Sequence, residues 1–548
     1  MMPVSAQLMS GNAQLRRSVY ALLAALAFGA FLGRLIAVDS VDRRALEEVR
    51  LRQIPTELEK YRARLVAKGL RADQVNAAVA EYSQTLYRQA RLCRPFLSAN
   101  DRSRWATVRA LVEPEMRVPG APYAIDRVIQ DPLWDTIDMV KHDGHLYSSK
   151  PPFLATIMAG LYWPVYHLFG YSLADRPYLV GRMLLALFNG TLLVIYFWIV
   201  AQLLERYGRD DLSRIFVFGA TCFGTFLTPF AVTFNNHLPG AVAAAVALYF
   251  LLRIYIDGVY KWSLYLGCGL AAGLTAACEM PALAFAALCA GLLLLPARLD
   301  ERFCQESRKL GPEERGLSGT AAGPAATFWR RVVLFLVGFL PAFAAVATFY
   351  FATNWIAHRS LRPPYMHRST TNPADNWYVF TYERQGRVIQ SYWTNPIGID
   401  RGEPNALVYA VHVLVGHHGI FSLTPIWLLA VGGMVVGIAG RHDPRLRLVF
   451  LGLLVVSIVC VGFYLARPQM DRNYGGVASG FRWAFWLAPL WLFAMLGAVE
   501  VLAKTRIGWA LCLAALLLSV LSVHYPTWNP WVHPWLYDWF FHLGWLRE

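Results

Sequence analysis

Long apolar blocks constrain this chain more than any other feature. They cover residues 19–38, 179–204, 332–351 and 448–465. Each is close to the roughly 20 residues of helix needed to cross the hydrocarbon of a bilayer. Composition points the same way. The chain of 548 residues is 56% hydrophobic and only 16% charged, against about 25% charged in soluble domains. The expected fold class is an all-α polytopic membrane protein. Further apolar cores lie near residues 214–233, 240–256, 262–278, 281–297, 420–439, 484–502 and 508–523. Together these give about 11 transmembrane helices, joined by a large first extracytoplasmic loop.

Charge orients the spans. Lys and Arg outnumber Asp and Glu by 51 to 36, a net charge of +15. In a membrane chain that excess reads as positive-inside bias and contact with anionic headgroups. No arginine-rich helix with interleaved aromatics points to nucleic acid. Arg16 and Arg17 place the N-terminus in the cytoplasm, and the first apolar run is expected to be retained as a span covering residues 1–38. Residues 39–151 then form the first extracytoplasmic loop, which opens with charged amphipathic helix. Arg206, Arg209 and Arg214 mark a cytoplasmic loop. The intervening stretch 153–170, interrupted by Pro164 and His167, is therefore expected to lie at the interface or re-enter. The core occupies residues 152–353, including a cytoplasmic loop at 298–331. A second outer loop covers 354–405, further spans 406–523, and a Trp-rich interfacial tail 524–548. Of eight cysteines only Cys93 falls in a long polar loop, so no disulfide framework is expected. No internal repeat is visible, unlike transporters built from duplicated halves.

Residue types suited to chemistry gather where polar loop meets apolar helix. In order they are SANDRSRWATVRALVE, YAIDRVIQDPLWDTID and HDGHLYSSKPPF, within residues 98–153. A carboxylate such as Asp101 can take a proton, and Arg104 and Lys150 can hold phosphate oxygens by charge-assisted hydrogen bonds. Arg482, at the start of a late span, is a further phosphate candidate. Asp143, His145, Tyr147, His237, His417 and His418 are candidates for lining a pocket. Simpler roles compete with each. Asp101 would serve as a helix N-cap, Lys150 as a snorkelling interfacial lysine, and His237 as part of a plain connector. Glu279, at an outer turn, would face water. Residues 474–480 are glycine-rich but lack a P-loop pattern.

The ordered combination of Asp101-Arg102-Ser103-Arg104-Trp105-Ala106 with Lys150-Pro151-Pro152 resembles the GT-C superfamily of membrane glycosyltransferases. The resemblance is especially to the protein O-mannosyltransferase-like branch and the bacterial lipid A aminoarabinose transferases. The resemblance covers residues 95–260. It implies an inverting transfer of sugar from a polyprenyl-phosphate donor to a protein, lipid or glycan hydroxyl. The reaction would take place on the outer face of the cytoplasmic membrane. Asp101 would be base or metal ligand, and Arg104, Lys150 and Arg482 would hold the donor phosphate. Two positions depart from the pattern: Ser149 stands where relatives often carry Glu, and Asn100 where a second carboxylate is common. A divalent cation (Mg or Mn), with Asp101 as its ligand, is therefore not expected to be tightly held, although Asp143, Asp138 or His145 could substitute for the missing carboxylate, and no other cofactor is implied. The rival readings are a transporter or flippase for lipid-linked saccharides, and a relative that binds polyprenyl phosphate without transferring sugar.

Overall fold

The computed structural model describes residues 4–37, 45–90, 95–295, 324–440 and 443–546. Cys93, Cys304 and most of the basic loop 298–331 lie outside these residues. Helix dominates, and the sheet among the described residues is two short antiparallel hairpins. Among the described residues eight helices are long and apolar enough to span a membrane, including Pro177–Tyr207, His237–Tyr255, Arg482–Leu502 and Arg506–His524. The chain is thus an all-α, multi-pass integral membrane protein. Three of the expected 11 spans are shorter: Trp262–Cys278, Met280–Leu293 and Ile426–Ala439. At 1.5 Å per residue the 17-residue Trp262–Cys278 is about 26 Å long, less than a bilayer's hydrocarbon thickness of about 30 Å. The block expected at 420–439 is broken at Thr424-Pro425, because proline offers no N–H to the helix. The Ile426 amide donates instead to Ser519 Oγ, 3.2 Å away.

Exposure follows from lipid contact. Leu187, Val194, Ile458 and Leu517 are exposed on spanning helices, as apolar side chains facing acyl tails would be. Where helices touch, small residues let backbones approach: a β-carbon at Gly269 or Gly433 would overlap a backbone carbonyl of the neighbouring helix.

The charges sort to two ends. At one end Arg16 pairs with Glu205 and Asp211, Arg214 with Asp211, and Arg206 with Asp257. The N-terminal flank, the 205–214 loop and the 253–257 turn therefore share one side. The segments carrying Asp101, Lys150, His237 and Arg482 come together at the other.

On that side helices Ala45–Ala67 and Ala72–Ala90 form a solvent-rich hairpin around Gly69. Helix Ala99–Val112, by contrast, is buried along nearly its whole length. Its arginines are accommodated individually. Arg109 is paired with Glu113 at 2.7 Å and lies over the Trp134 ring, while Arg102 donates to the carbonyls of Pro95 and Asp135. Strands Met139–His142 and His145–Ser148 follow, turned by Asp143-Gly144 with both residues at positive φ, the backbone a two-residue hairpin requires.

The stretch expected to be interrupted at Pro164 is a continuous helix, Pro152–Phe169. It runs on to Gly170, whose left-handed φ of 68° closes it with amide bonds to Tyr166 and Val165 carbonyls from Gly170 and Tyr171. This 18-residue helix is not one of the eight long apolar ones.

Candidate active site

Four remote segments deliver the site. The first two turns of Ala99–Val112 bring Asp101 and Arg104, the end of the hairpin brings Ser149 and Lys150, residues 235–237 open helix His237–Tyr255, and Arg482 begins a late span. Ser98 is the N-cap of the first helix, its Oγ accepting from the Asp101 amide at 3.0 Å. Asp101 is therefore not the cap. Its Oδ1 accepts the backbone N–H of Phe234 at 2.9 Å, tying the helix to the 231–236 turn.

A chain of hydrogen bonds links the two arginines. Arg104 Nη2 donates to Asn236 Oδ1 (2.7 Å), and Asn236 Nδ2 donates to Glu279 Oε1 (2.7 Å). His237 Nδ1 donates to the same Glu279 oxygen (2.6 Å), and Arg482 Nη1 donates to His237 Nε2 (3.2 Å). Because an arginine can only donate, this network assigns His237 as the neutral Nδ1–H tautomer. Arg482 is held from behind by the Gly475 carbonyl, which accepts from its Nε at 2.6 Å. Arg104 also donates to the Asn100 side chain. Every bonded partner of these two guanidinium groups is neutral, and Glu279 reaches each only through an intervening side chain.

Lys150 is different. Its ammonium meets Asp138 Oδ1 at 2.8 Å, and Ser149 Oγ donates to the same oxygen at 3.1 Å. Burial lowers the Lys150 ammonium below the usual lysine range, the Asp138 charge opposing it and the Arg104 and Arg482 charges adding to it. Burial likewise pushes Arg104 down to about 10, with Arg482 beside it the next contributor. Burial would raise Asp138, but the Lys150 ammonium and the Arg482 charge hold its carboxyl below the ordinary range. For Asp101 burial prevails and raises the carboxyl to about 7, against the Phe234 amide and Arg104.

The candidates thus divide. Asp101, Arg104, Lys150, Arg482 and His237 lie in one electrostatic neighbourhood. The other pocket candidates do not. Asp143 is exposed at the hairpin tip, and His145 pairs with Asp126 at 3.3 Å. Five residues of extended chain, about 16 Å, separate His145 from Lys150. Side chains alternate across a strand, so Ser148 turns to Ser103 of the arginine helix while Tyr147 turns away. Tyr147 stacks on His142, which in turn stacks on Trp377 of the 354–405 loop. His417 and His418 pack with His412, His533, Tyr474 and Tyr537, behind the loop whose Gly475 holds Arg482.

Sequence reasoning missed three residues that the network uses: Asn236, Glu279 and, as a partner of Lys150, Asp138. Glu279 does not face water; it is 5% exposed. Its signal was present, since it is the single carboxylate between residues 258 and 299, and ionisable groups in apolar surroundings are expensive and tend to be functional. Among the described residues no group of three or more His, Cys, Asp or Glu could hold a metal ion. Asp101, among backbone amides and guanidinium groups, offers a cation no favourable donor set.

In class, then, this is a multi-pass membrane protein with a buried cationic cluster at one end of its helices. In sequence the chain matches no protein-family model and no curated protein.

Proposed function

We propose that this protein is a membrane glycosyltransferase that moves a sugar from a polyprenyl-phosphate donor to a hydroxyl of a protein, lipid or glycan. The reaction takes place at the outer face of the cytoplasmic membrane, with the N-terminus cytoplasmic. One observation carries the reading: Arg104 and Arg482 are brought together with only neutral bonded partners. Buried charge without a bonded counter-charge is destabilising by several kcal/mol, and a phosphate would supply what is missing through bidentate, charge-assisted hydrogen bonds. Lys150, whose ammonium can exchange a carboxylate for a phosphate, completes a three-cation cradle.

Apolar side chains of Phe226, Ile420, Leu423, Trp427, Phe485 and Trp491 gather beside the first turns of Arg482–Leu502. In the transfer, the acceptor oxygen bonds to the anomeric carbon and that carbon's bond to the phosphate oxygen breaks. The electron pair leaves with polyprenyl phosphate, where the three cations stabilise the developing charge.

The test is transfer by purified protein in detergent, using radiolabelled polyprenyl-phosphate hexoses and pentoses with peptide, lipid and glycan acceptors. Arg104→Ala and Arg482→Ala are each expected to lower transfer by roughly 100-fold or more, the scale of losing one charge-stabilising donor. Transfer by both variants at the wild-type rate would overturn the reading.

A further inference from the structure

The cluster holds two carboxylates close to the cations, and the geometry separates their roles. Asp101 is locked: it is 1% exposed, and Oδ1 accepts the Phe234 amide. Asp138 is clamped through its main chain instead. Its amide donates to Thr136 Oγ1 (3.2 Å) and its carbonyl accepts from the Ser149 amide (3.0 Å). Its side chain retains 13% exposure. Lys150 Nζ and Ser149 Oγ both bind Oδ1, and no donor among the described residues reaches Oδ2.

We propose that Asp138, uncovered when Lys150 turns from it to the donor's phosphate, is the base that takes the acceptor proton. This rests on the transferase reading above. Before the donor arrives, Lys150 neutralises Asp138 and keeps it a weak base. A phosphate seated at Arg104 and Arg482 competes for the ammonium with more charge and more acceptor oxygens. Losing that cation in a desolvated site makes a carboxylate more basic, so basicity appears together with the donor. The acceptor O–H proton then passes to Asp138 Oδ2 as the acceptor oxygen bonds to the anomeric carbon. The carbon–phosphate-oxygen bond breaks, and polyprenyl phosphate departs with its electron pair against Arg104, Arg482 and Lys150. Ser149, standing where relatives often carry Glu, here gives its hydroxyl to the proposed base.

Asp138→Asn preserves size and an acceptor at Oδ1, so the bonds from Lys150 and Ser149 survive. Two readouts are taken on the full-length protein: binding of polyprenyl phosphate by tryptophan fluorescence, and transfer from the radiolabelled donors. Binding by Asp138→Asn is expected to stay within about threefold of wild type while transfer falls by roughly 10²–10⁴-fold, the usual range for a lost general base. Asp101→Asn is expected to keep transfer within about tenfold, as a positioning residue would. The assignment is overturned if Asp138→Asn transfers at the wild-type rate. It is also overturned if that variant loses binding and thermal stability together, which marks a structural role. A third contrary result is Asp101→Asn losing transfer with binding intact. If wild type binds polyprenyl phosphate but transfers no sugar from any donor, the transferase reading itself fails and takes the base with it.

Discussion

The buried carboxyl of Asp101 shows how one side chain can be important without touching a substrate. Its pKa rises from 3.8 to about 7, burial being the main cause. Below about pH 4 the proton is bound in folded and unfolded chains alike. Between that value and about 7 the unfolded chain ionises while the folded one holds its proton, so stability is lost as pH rises through this window. At 1.36 kcal/mol per unit the loss is about 4 kcal/mol at most. Asp101→Asn cannot titrate and keeps an acceptor for the Phe234 amide. The unfolding midpoint of the variant is therefore expected to gain on wild type from pH 4 to 7 and then level off. A difference that stays constant across that range would show that burial does not govern this carboxyl. Asp101 was legible in the sequence as a candidate, but its partner was not, because a backbone amide 133 positions away leaves no mark on the residues around it.

At the scale of elements, packing depends on close backbone approach that hydropathy does not reveal. Gly433 on Ile426–Ala439 faces Ala494 of Ala488–Leu502, and a β-carbon there would overlap the Ala494 carbonyl. Gly432, one residue earlier, would place its β-carbon 3.6 Å from Ala498 Cβ, an ordinary contact. Gly433→Ala is accordingly expected to destabilise by about 1–3 kcal/mol or more, as overpacking does, and Gly432→Ala to leave the midpoint nearly unchanged. Thermal unfolding in detergent compares the two directly; equal midpoints would refute the tight crossing. The same scale explains the hairpin. HDGHLYSSKPPF contains the Asp-Gly turn, but which strand face meets the arginine helix depends on register, and that turns Ser148 toward Ser103 while Tyr147 stacks on His142 and His145 pairs with Asp126.

For the whole molecule, the ion pairs around Arg16, Glu205 and Asp257 and the cationic cluster lie at opposite ends of the helices. Val388, 77% exposed on the 354–405 loop, and Lys504, exposed near the Arg209–Glu500 pair, sample the two sides. A membrane-impermeant maleimide applied to intact cells is expected to label Val388→Cys above the wild-type background. Lys504→Cys should be labelled only after permeabilisation. The reverse pattern would place the cluster on the cytoplasmic side and exclude an outward-facing site.

The membrane class, the approximate bounds of most spans and the gathering of polar residues at loop–membrane boundaries were determined by the sequence itself. Hydropathy is a local sum over consecutive residues and needs no partner to be read. The site was decided by tertiary structure. Arg104 meets Asn236 across 132 positions and Arg482 meets His237 across 245. Only packing determines that both arginines receive neutral partners, that Glu279 turns inward, and that Lys150 sits on Asp138. Charge balance in a buried cluster depends on distance in space, and in this chain that distance is set by helices whose apolar faces say nothing about what their ends will hold.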